Sequence, residues 1–209
     1  MLNLAMAGID FNKASIDVRE RFALTLSAQA AAMGRLRHLS GVSGCVIINT
    51  CNRMELWVSV SGALEQTPLE MLCGLFRVDA REHERFFTQR EGEEAVEHLF
   101  ELACGLKSLI FGEEQILTQV RESVSFAREC KASDPILEAA FRSAVTAAKR
   151  AKTQVRLVTV DRSAARSAVG LLRERFGDLK GLPCLVIGSG EMGRLSAKAL
   201  AEEIGRAHV

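Results

Sequence analysis

The chain has 209 residues, 48% of them hydrophobic and 25% charged, and its 27 basic residues stand against 26 acidic ones. This composition excludes a disordered chain and is ordinary for a globular protein with one large domain or two smaller ones. A net charge of +1 gives no overall field that favours nucleic acid, so any RNA contact has to depend on local basic patches.

The cysteines and the N-terminal segment indicate a cytoplasmic protein with reduced thiols. The six cysteines show no CxxC spacing, which predicts neither a disulfide framework nor a metal site. Residues 1–13 lack the basic and apolar regions of a signal peptide, and no apolar run approaches the ~20 residues that span a bilayer. We therefore expect a cytoplasmic location and no membrane partner.

Hydrophobic periodicity predicts mainly strands, then mainly helices, in residues 1–153. Segments typical of strands lie at 2–9, 45–48, 56–60 and within 78–89. Segments with helical spacing lie at 27–39 with Ser27 as N-cap, 65–76, 96–106, 116–127 and 135–153 with Asp134 as N-cap. This order favours an α+β domain in which an antiparallel sheet packs with helices.

A glycine-rich turn follows a charged connection at 154–163, a helix at 164–176 and a short buried-type strand at 184–187. The turn matches GxGxxG and precedes a helix over 194–201, a context in which glycines let a pyrophosphate approach the helix N-terminus. An ordinary strand–helix turn that needs glycine gives the same pattern. We interpret 164–209 as the incomplete beginning of a Rossmann-type α/β domain with cofactor contacts from Gly188, Ser189, Gly190, Glu191, Met192 and Gly193.

A cysteine stands in the tight polar turn between the strands predicted at 45–48 and 56–60. Such a turn presents the Cys51 thiol at a sheet edge, and Arg53 would favour the thiolate, which is the nucleophilic form. A lone cysteine is more often an inert small hydrophobe, so the turn by itself leaves both interpretations open.

Three separated segments resemble glutamyl-tRNA reductases. Residues 50–55, TCNRME, resemble the family's TCNRxE signature, and residues 98–100 and 105–120 are similar to its HLF and GLDSxxxGExQILxQV segments. The resemblance implies that Cys51 attacks the ester between glutamate and tRNA, giving a thioester that NADPH reduces to glutamate-1-semialdehyde. This reaction is the first step of tetrapyrrole (porphyrin) biosynthesis.

The resemblance also implies a set of site residues. Cys51 is the nucleophile, His98 assists the chemistry, and Arg53 holds a substrate carboxylate with its guanidinium fork. Without the resemblance, His98 on the polar flank of a helix is typical of a solvated side chain. The other residues expected along the substrate cleft are Thr50, Asn52, Ser108, Glu113, Glu114, Gln115 and Gln119.

The chain departs from the family pattern at two places. Lys107 replaces the aspartate of GLDS, and residues 156–167 differ from the run that usually joins the two domains. Residues 204–209 read as the translation of a sequencing adapter, so we expect a truncated fragment of a longer enzyme. The family further implies glutamyl-tRNA as partner and a homodimer formed through a C-terminal domain missing here.

Two alternatives remain open at this stage. The first is a catalytically silent relative that binds tRNA or a partner protein, with Lys107 as an early sign of divergence. The second is an unrelated Rossmann oxidoreductase with an accessory N-terminal domain, against which the TCNRxE match argues.

Overall fold

The computed structural model describes residues 3–109, 112–113, 115–155 and 164–205. The chain divides into two compact units, Met1–Val155 and Arg156–Val209. None of the helices within the described ranges is long and apolar enough to cross a membrane.

The first unit is built on a four-stranded antiparallel sheet with strand order β2-β3-β1-β4. The strands are β1 (Leu4–Asp10), β2 (Val42–Asn49), β3 (Arg53–Val60) and β4 (Thr88–Glu91). The strands predicted at 2–9, 45–48 and 56–60 are confirmed, as is the α+β class. Most of the segment predicted within 78–89 is instead helical, because the Asp79 side chain accepts a hydrogen bond from the Arg81 N–H and starts a short helix there.

The described part of the first unit contains seven α-helices besides the sheet. They are α1 (Ile16–Glu20), α2 (Leu26–Leu36), α3 (Pro68–Leu75), α4 (Ala80–His83), α5 (Gly92–Ala103), α6 (Gln115–Glu129) and α7 (Pro135–Gln154). The N-cap of α7 is confirmed, since Asp134 Oδ1 accepts from the Leu137 N–H at 2.9 Å. The N-cap predicted for α2 is wrong: Thr25, not Ser27, has the extended backbone and accepts from the Ala28 N–H.

The register of the sheet determines which side chains share a face. In β3 the side chains of Arg53, Glu55 and Trp57 alternate with apolar ones, so these three lie on one face of the sheet. Gly8 of β1 is paired with Glu55. Helix α5 packs over β1 on the side where His98 stacks on the Trp57 ring, with centroids 5.9 Å apart and planes at 19°. Polar groups are therefore enclosed between α5 and the middle of the sheet.

Residues 164–205 of the second unit contain two helices that pack on each other, α8 (Ala164–Phe176) and α9 (Glu191–Ile204). The helix predicted at 164–176 is confirmed. The strand predicted at 184–187 is wrong for this structure: Leu185 and Ile187 are 86% and 90% exposed, and no described residue of this unit forms a strand that could pair with them. A strand exists only with a hydrogen-bonded neighbour, which local sequence does not reveal.

Candidate active site

The turn between β2 and β3 exposes the Cys51 thiol to solvent. Thr50 closes this turn: its backbone N–H donates to the Arg53 carbonyl at 2.9 Å, and its hydroxyl oxygen accepts from the Asn52 and Arg53 N–H groups at 3.2 Å. The Asn52 carbonyl in turn accepts from the Phe11 N–H at 3.1 Å. Cys51 is thus the apex of a turn whose backbone is fixed on both sides.

A cleft beside Cys51 brings together residues from the turn, from the loop after α5 and from the start of α6. Every predicted substrate residue that the structure describes lines this cleft, whereas Glu114 lies outside the described residues. The lining residues are Thr50, Cys51, Asn52, Arg53, Ser108, Leu109, Glu113, Gln115, Ile116 and Gln119. The cleft therefore offers one thiol surrounded by hydroxyl, amide and carboxylate groups.

A buried hydrogen-bonded network lies directly behind the turn. The Glu55 carboxylate accepts from Arg53 Nη1 at 2.8 Å, from His98 Nε2 at 3.1 Å and from Trp57 Nε1 at 3.1 Å. Burial raises the pKa of Glu55, but the hydrogen bonds and positive charges of His98 and Arg53 outweigh burial and lower that pKa from 4.5 to about 2. Glu55 is therefore an ionised carboxylate inside the protein.

His98 belongs to this network rather than to the cysteine cleft. It is 5% exposed, so the interpretation of a solvated side chain is wrong. Because ionised Glu55 can only accept, His98 Nε2 must carry the hydrogen, while Nδ1 is buried without a partner among the described residues. His98 lines a neighbouring cavity of about 180 Å³ that does not include Cys51. Among the described residues, hydrogen bonds link His98 to Glu55 and Glu55 to Arg53 of the cysteine turn.

Arg53 uses both terminal nitrogens of its guanidinium within the protein. Nη1 donates to Glu55, and Nη2 donates to the backbone carbonyl of Lys107 in the loop after α5. Its side chain is almost fully buried although it lines the cleft. In this conformation the fork holds that loop against the sheet and is not presented to solvent, so carboxylate binding by Arg53 stays a prediction.

Lys107, the charge reversal in the family pattern, does not disturb this contact. Its ammonium group pairs with Glu101 at 3.1 Å on the surface, while only its backbone carbonyl accepts from Arg53. The loop itself is tight, because Gly105 has φ +79° and its carbonyl accepts from the Gly112 N–H at 3.1 Å. The loop that carries Ser108 is therefore held by two contacts: Arg53 binds the Lys107 carbonyl, and the Gly112 N–H binds the Gly105 carbonyl.

Two residues that shape this buried network, Glu55 and Gly8, are not among the site residues predicted from the sequence. A Cβ atom on Gly8 would lie 2.6 Å from Glu55 Cγ, so only glycine leaves room for this carboxylate to reach Arg53 and His98. The signal for Glu55 was available: alternation in β3 places it on the same face as Arg53, beside the motif's cysteine. No sequence signal indicates Gly8, because its closeness to Glu55 depends on how β1 pairs with β3.

The glycine turn of the second unit has the backbone that a pyrophosphate needs. Gly188 has φ +119°, and a Cβ on Gly193 would lie 2.0 Å from the Gly188 carbonyl oxygen. Gly190 is the N-cap of α9 and places no side chain over the first N–H groups of that helix. These glycines fit the phosphate cradle of a dinucleotide, whereas contacts from Ser189, Glu191 and Met192 stay predictions.

Known proteins resemble the chain over nearly its whole length. The family model for the N-terminal domain of glutamyl-tRNAGlu reductase matches residues 7–155. The chain is 44% identical over 201 residues to a glutamyl-tRNA reductase of Acetivibrio thermocellus, covering 96% of this chain and 60% of that protein. It is 38% identical over 206 residues to a glutamyl-tRNA reductase of Alkaliphilus oremlandii, covering 99% and 61%.

A solved structure has the same fold. Glutamyl-tRNA reductase from Methanopyrus kandleri matches with a TM-score of 0.69 at 31% sequence identity, covering 97% of this chain and 47% of that one. The chain thus spans 60–61% of the length of the two curated relatives.

Proposed function

Because the chain belongs to the glutamyl-tRNA reductase family, we propose that Cys51 takes the glutamyl group from glutamyl-tRNA and holds it as a thioester. The observation that carries this proposal is the exposed Cys51 thiol in a cleft lined by Ser108, Gln115 and Gln119. Cys51 is the one thiol among the cleft residues, and a thiolate is the strongest nucleophile that such side chains offer.

The transfer step balances without any further reactant. Cys51 Sγ forms a bond to the ester carbonyl carbon, the bond from that carbon to the ribose oxygen breaks, and the thiol proton ends on the ribose oxygen. Negative charge develops on the carbonyl oxygen during the attack, and side-chain N–H or O–H donors near that oxygen lower the barrier. Ser108, Gln115 and Gln119, together with Thr50 and Asn52 of the turn, are cleft side chains with such donors.

The network of Arg53, Glu55 and His98 acts as a positioning device in this proposal. Arg53 joins the cysteine turn to the loop after α5 by donating to the Lys107 carbonyl, and the Glu55 carboxylate fixes the Arg53 guanidinium by accepting from it. Since Ser108 and Cys51 lie on the two segments that Arg53 joins, loss of the network would widen the cleft between them. His98 acts on the chemistry through Glu55, and its ring is held flat on Trp57.

Reduction of the thioester completes the proposed activity in the whole enzyme. A thioester is more open to hydride than an ester, and NADPH, when bound, supplies that hydride to give glutamate-1-semialdehyde, the first step of tetrapyrrole biosynthesis. Gly188, Gly190 and Gly193 would hold its pyrophosphate at the N-terminus of α9. The names of the relatives support this assignment.

Transfer of labelled glutamate tests the proposal. The chain is mixed with glutamyl-tRNA carrying labelled glutamate, quenched in acid, and the label on protein is counted for the native chain, Cys51→Ser and Cys184→Ser. Cys184 is the matched control, because it is the other exposed cysteine among the described residues. We expect label on the native and Cys184→Ser proteins and none on Cys51→Ser. A native chain that binds the tRNA yet takes no label would instead support a silent binding relative.

A further inference from the structure

A cavity of about 180 Å³ lies beside the buried network, next to His98. It is bordered by β1 and the loop that follows it, by β4, by α5 and by the loop after α5. Its charged and titratable lining residues are Asp10, Lys13, Glu55, Arg90, His98 and Lys107. Cys51 does not line this cavity, so a ligand bound there is not the group that the thiol takes up in the proposed function.

Two buried polar atoms of the lining residues have no hydrogen-bond partner within the described chain. One is Nδ1 of His98, a side chain that is 5% exposed, and the other is Nε of Arg90. The other ring nitrogen of His98 is held by Glu55, so the ring cannot turn to give Nδ1 a partner without losing that bond. Buried polar atoms in native proteins are nearly always hydrogen-bonded. Two unpartnered atoms beside one cavity therefore indicate a ligand with polar groups.

The charges around the cavity favour an anion. Lys13 and Arg90 form no ion pair with any residue that the structure describes. Glu55 is occupied by the three donors described above, and Asp10 Oδ1 accepts from two backbone N–H groups of its own turn. Lys107 adds a third cation at the position where the family pattern has an aspartate. The cavity thus offers cationic groups that the protein itself leaves without a counter-ion.

The ligand also has to match Nδ1 of His98. A hydroxyl group both donates and accepts, so it satisfies this nitrogen in either protonation state of the ring. An ionised carboxylate only accepts, and its geometry suits the guanidinium fork of Arg90. The cavity has room for roughly six water molecules at about 30 Å³ each, and its cations come from three separate segments. These features favour a small dicarboxylate that carries a hydroxyl group.

We propose that this cavity, the anion cavity, binds a small hydroxydicarboxylate. Its carboxylates pair with Arg90, Lys13 and Lys107, and its hydroxyl group bonds to Nδ1 of His98. Lys107 is the residue by which the chain departs from the family pattern, so the site belongs to this chain and is lost where an aspartate stands at that position. The binding needs neither Cys51 nor glutamyl transfer and is independent of the proposed function.

Calorimetric titration tests the proposal with L-malate, succinate and inorganic phosphate as probes. Succinate has the two carboxylates of malate without the hydroxyl group, so it should bind the native chain about fivefold or more weakly. Arg90→Met removes a charge-assisted contact and should weaken malate binding about tenfold or more. Lys107→Asp restores the residue of the family pattern and should weaken it by a similar factor. Arg21→Met is the matched control, because Arg21 is exposed and does not line the cavity, and it should bind malate like the native chain.

NMR of ¹⁵N-labelled histidine locates the ligand. Malate should shift the ring nitrogens of His98 and leave those of His83, which does not line the cavity, unchanged. Urea unfolding followed by Trp57 fluorescence shows which variants are folded, and an unfolded Arg90→Met protein leaves the test to Lys107→Asp, whose side chain is on the surface.

Several results would overturn the anion cavity without touching the proposed function. They are a native chain that does not bind malate, equal affinities for malate and succinate, and tighter binding of phosphate than of malate. Malate binding that the folded Arg90→Met and Lys107→Asp variants retain in full would also overturn it, as would an equal loss in Arg21→Met. Conversely, malate binding to a chain that takes no glutamyl group would reject the proposed function and keep the cavity.

Discussion

The buried carboxylate of Glu55 should dominate the acid sensitivity of the first unit. Glu55 is 2% exposed and accepts hydrogen bonds from Arg53, His98 and Trp57. Although burial raises its pKa, His98 and Arg53 lower that pKa from 4.5 to about 2 in the folded chain. A carboxyl group with a lowered folded pKa stabilises the fold above its unfolded pKa and loses that contribution as the pH falls. The window of loss is therefore about pH 4.5 to 2.

Two estimates give the size of this contribution. A pKa lowered by about 2.5, the difference between 4.5 and about 2, corresponds to about 3 kcal/mol of folding free energy. Removal of one partner from a buried ion pair typically costs about 3–5 kcal/mol, because the other charge is left without its counter-ion. Glu55→Gln should therefore lower the free energy of unfolding at pH 7 by about 3–5 kcal/mol and flatten its dependence on pH.

Trp57 provides the assay, since it is the single tryptophan of the chain and donates to Glu55. Urea unfolding followed by its fluorescence between pH 7 and pH 3 gives the free energy of unfolding for native and variant. Glu101→Gln is the control: its pair with Lys107 at 3.1 Å is on the surface, and such pairs contribute about 1 kcal/mol or less. A Glu55→Gln variant within 1 kcal/mol of native, with the same pH dependence, would refute a buried ionised carboxylate.

Two further substitutions test how the network is built. Gly8→Ala places a Cβ 2.6 Å from Glu55 Cγ and should lower the free energy of unfolding in urea by about 1–3 kcal/mol. Gly34→Ala is the control, because a Cβ there has nothing within 4 Å, and it should leave the free energy of unfolding unchanged or raise it. Equal effects of the two substitutions would contradict close packing at Gly8. Arg53→Lys keeps the charge but loses the two-pronged contact to Glu55 and the Lys107 carbonyl, so glutamyl transfer should slow and amide exchange in residues 104–109 should increase. Native exchange in that loop would show that Arg53 does not hold it.

Much of the first unit follows from local patterns in the sequence. The strands around Cys45 and Trp57 contain the short apolar runs CVII and LWV, and α7 begins with an aspartate and a proline that fix its start. The strand predicted within 78–89 lies at Thr88–Glu91 instead. The sequence does not locate it because its four residues, TQRE, are polar and form a strand only through pairing with β1. The strand predicted at 184–187 failed for the converse reason, since an apolar run alone does not supply the neighbour that a strand needs.

The candidate site likewise contains residues that the sequence predicts and residues that only the structure brings together. The resemblance selected the residues that line the cysteine cleft, because its motifs include both the turn at 50–53 and the separate segment at 105–120. The resemblance also selected His98, but its partner Glu55 lies 43 residues away on another element. Hydrogen bonds across such distances depend on how α5 packs on the sheet, which periodicity does not determine. The buried network between Arg53 and His98 therefore required the structure.

The position of the glutamyl group after transfer tests the central claim most directly. Native chain is mixed with glutamyl-tRNA, quenched in acid, digested, and mapped by mass spectrometry, with Cys51→Ser treated in parallel. We predict one glutamyl group on the peptide that contains Cys51, bound as a thioester that hydroxylamine releases, and none in the variant. A native chain without this adduct, or an adduct on another residue such as Cys184, would contradict the assignment of Cys51 as the nucleophile.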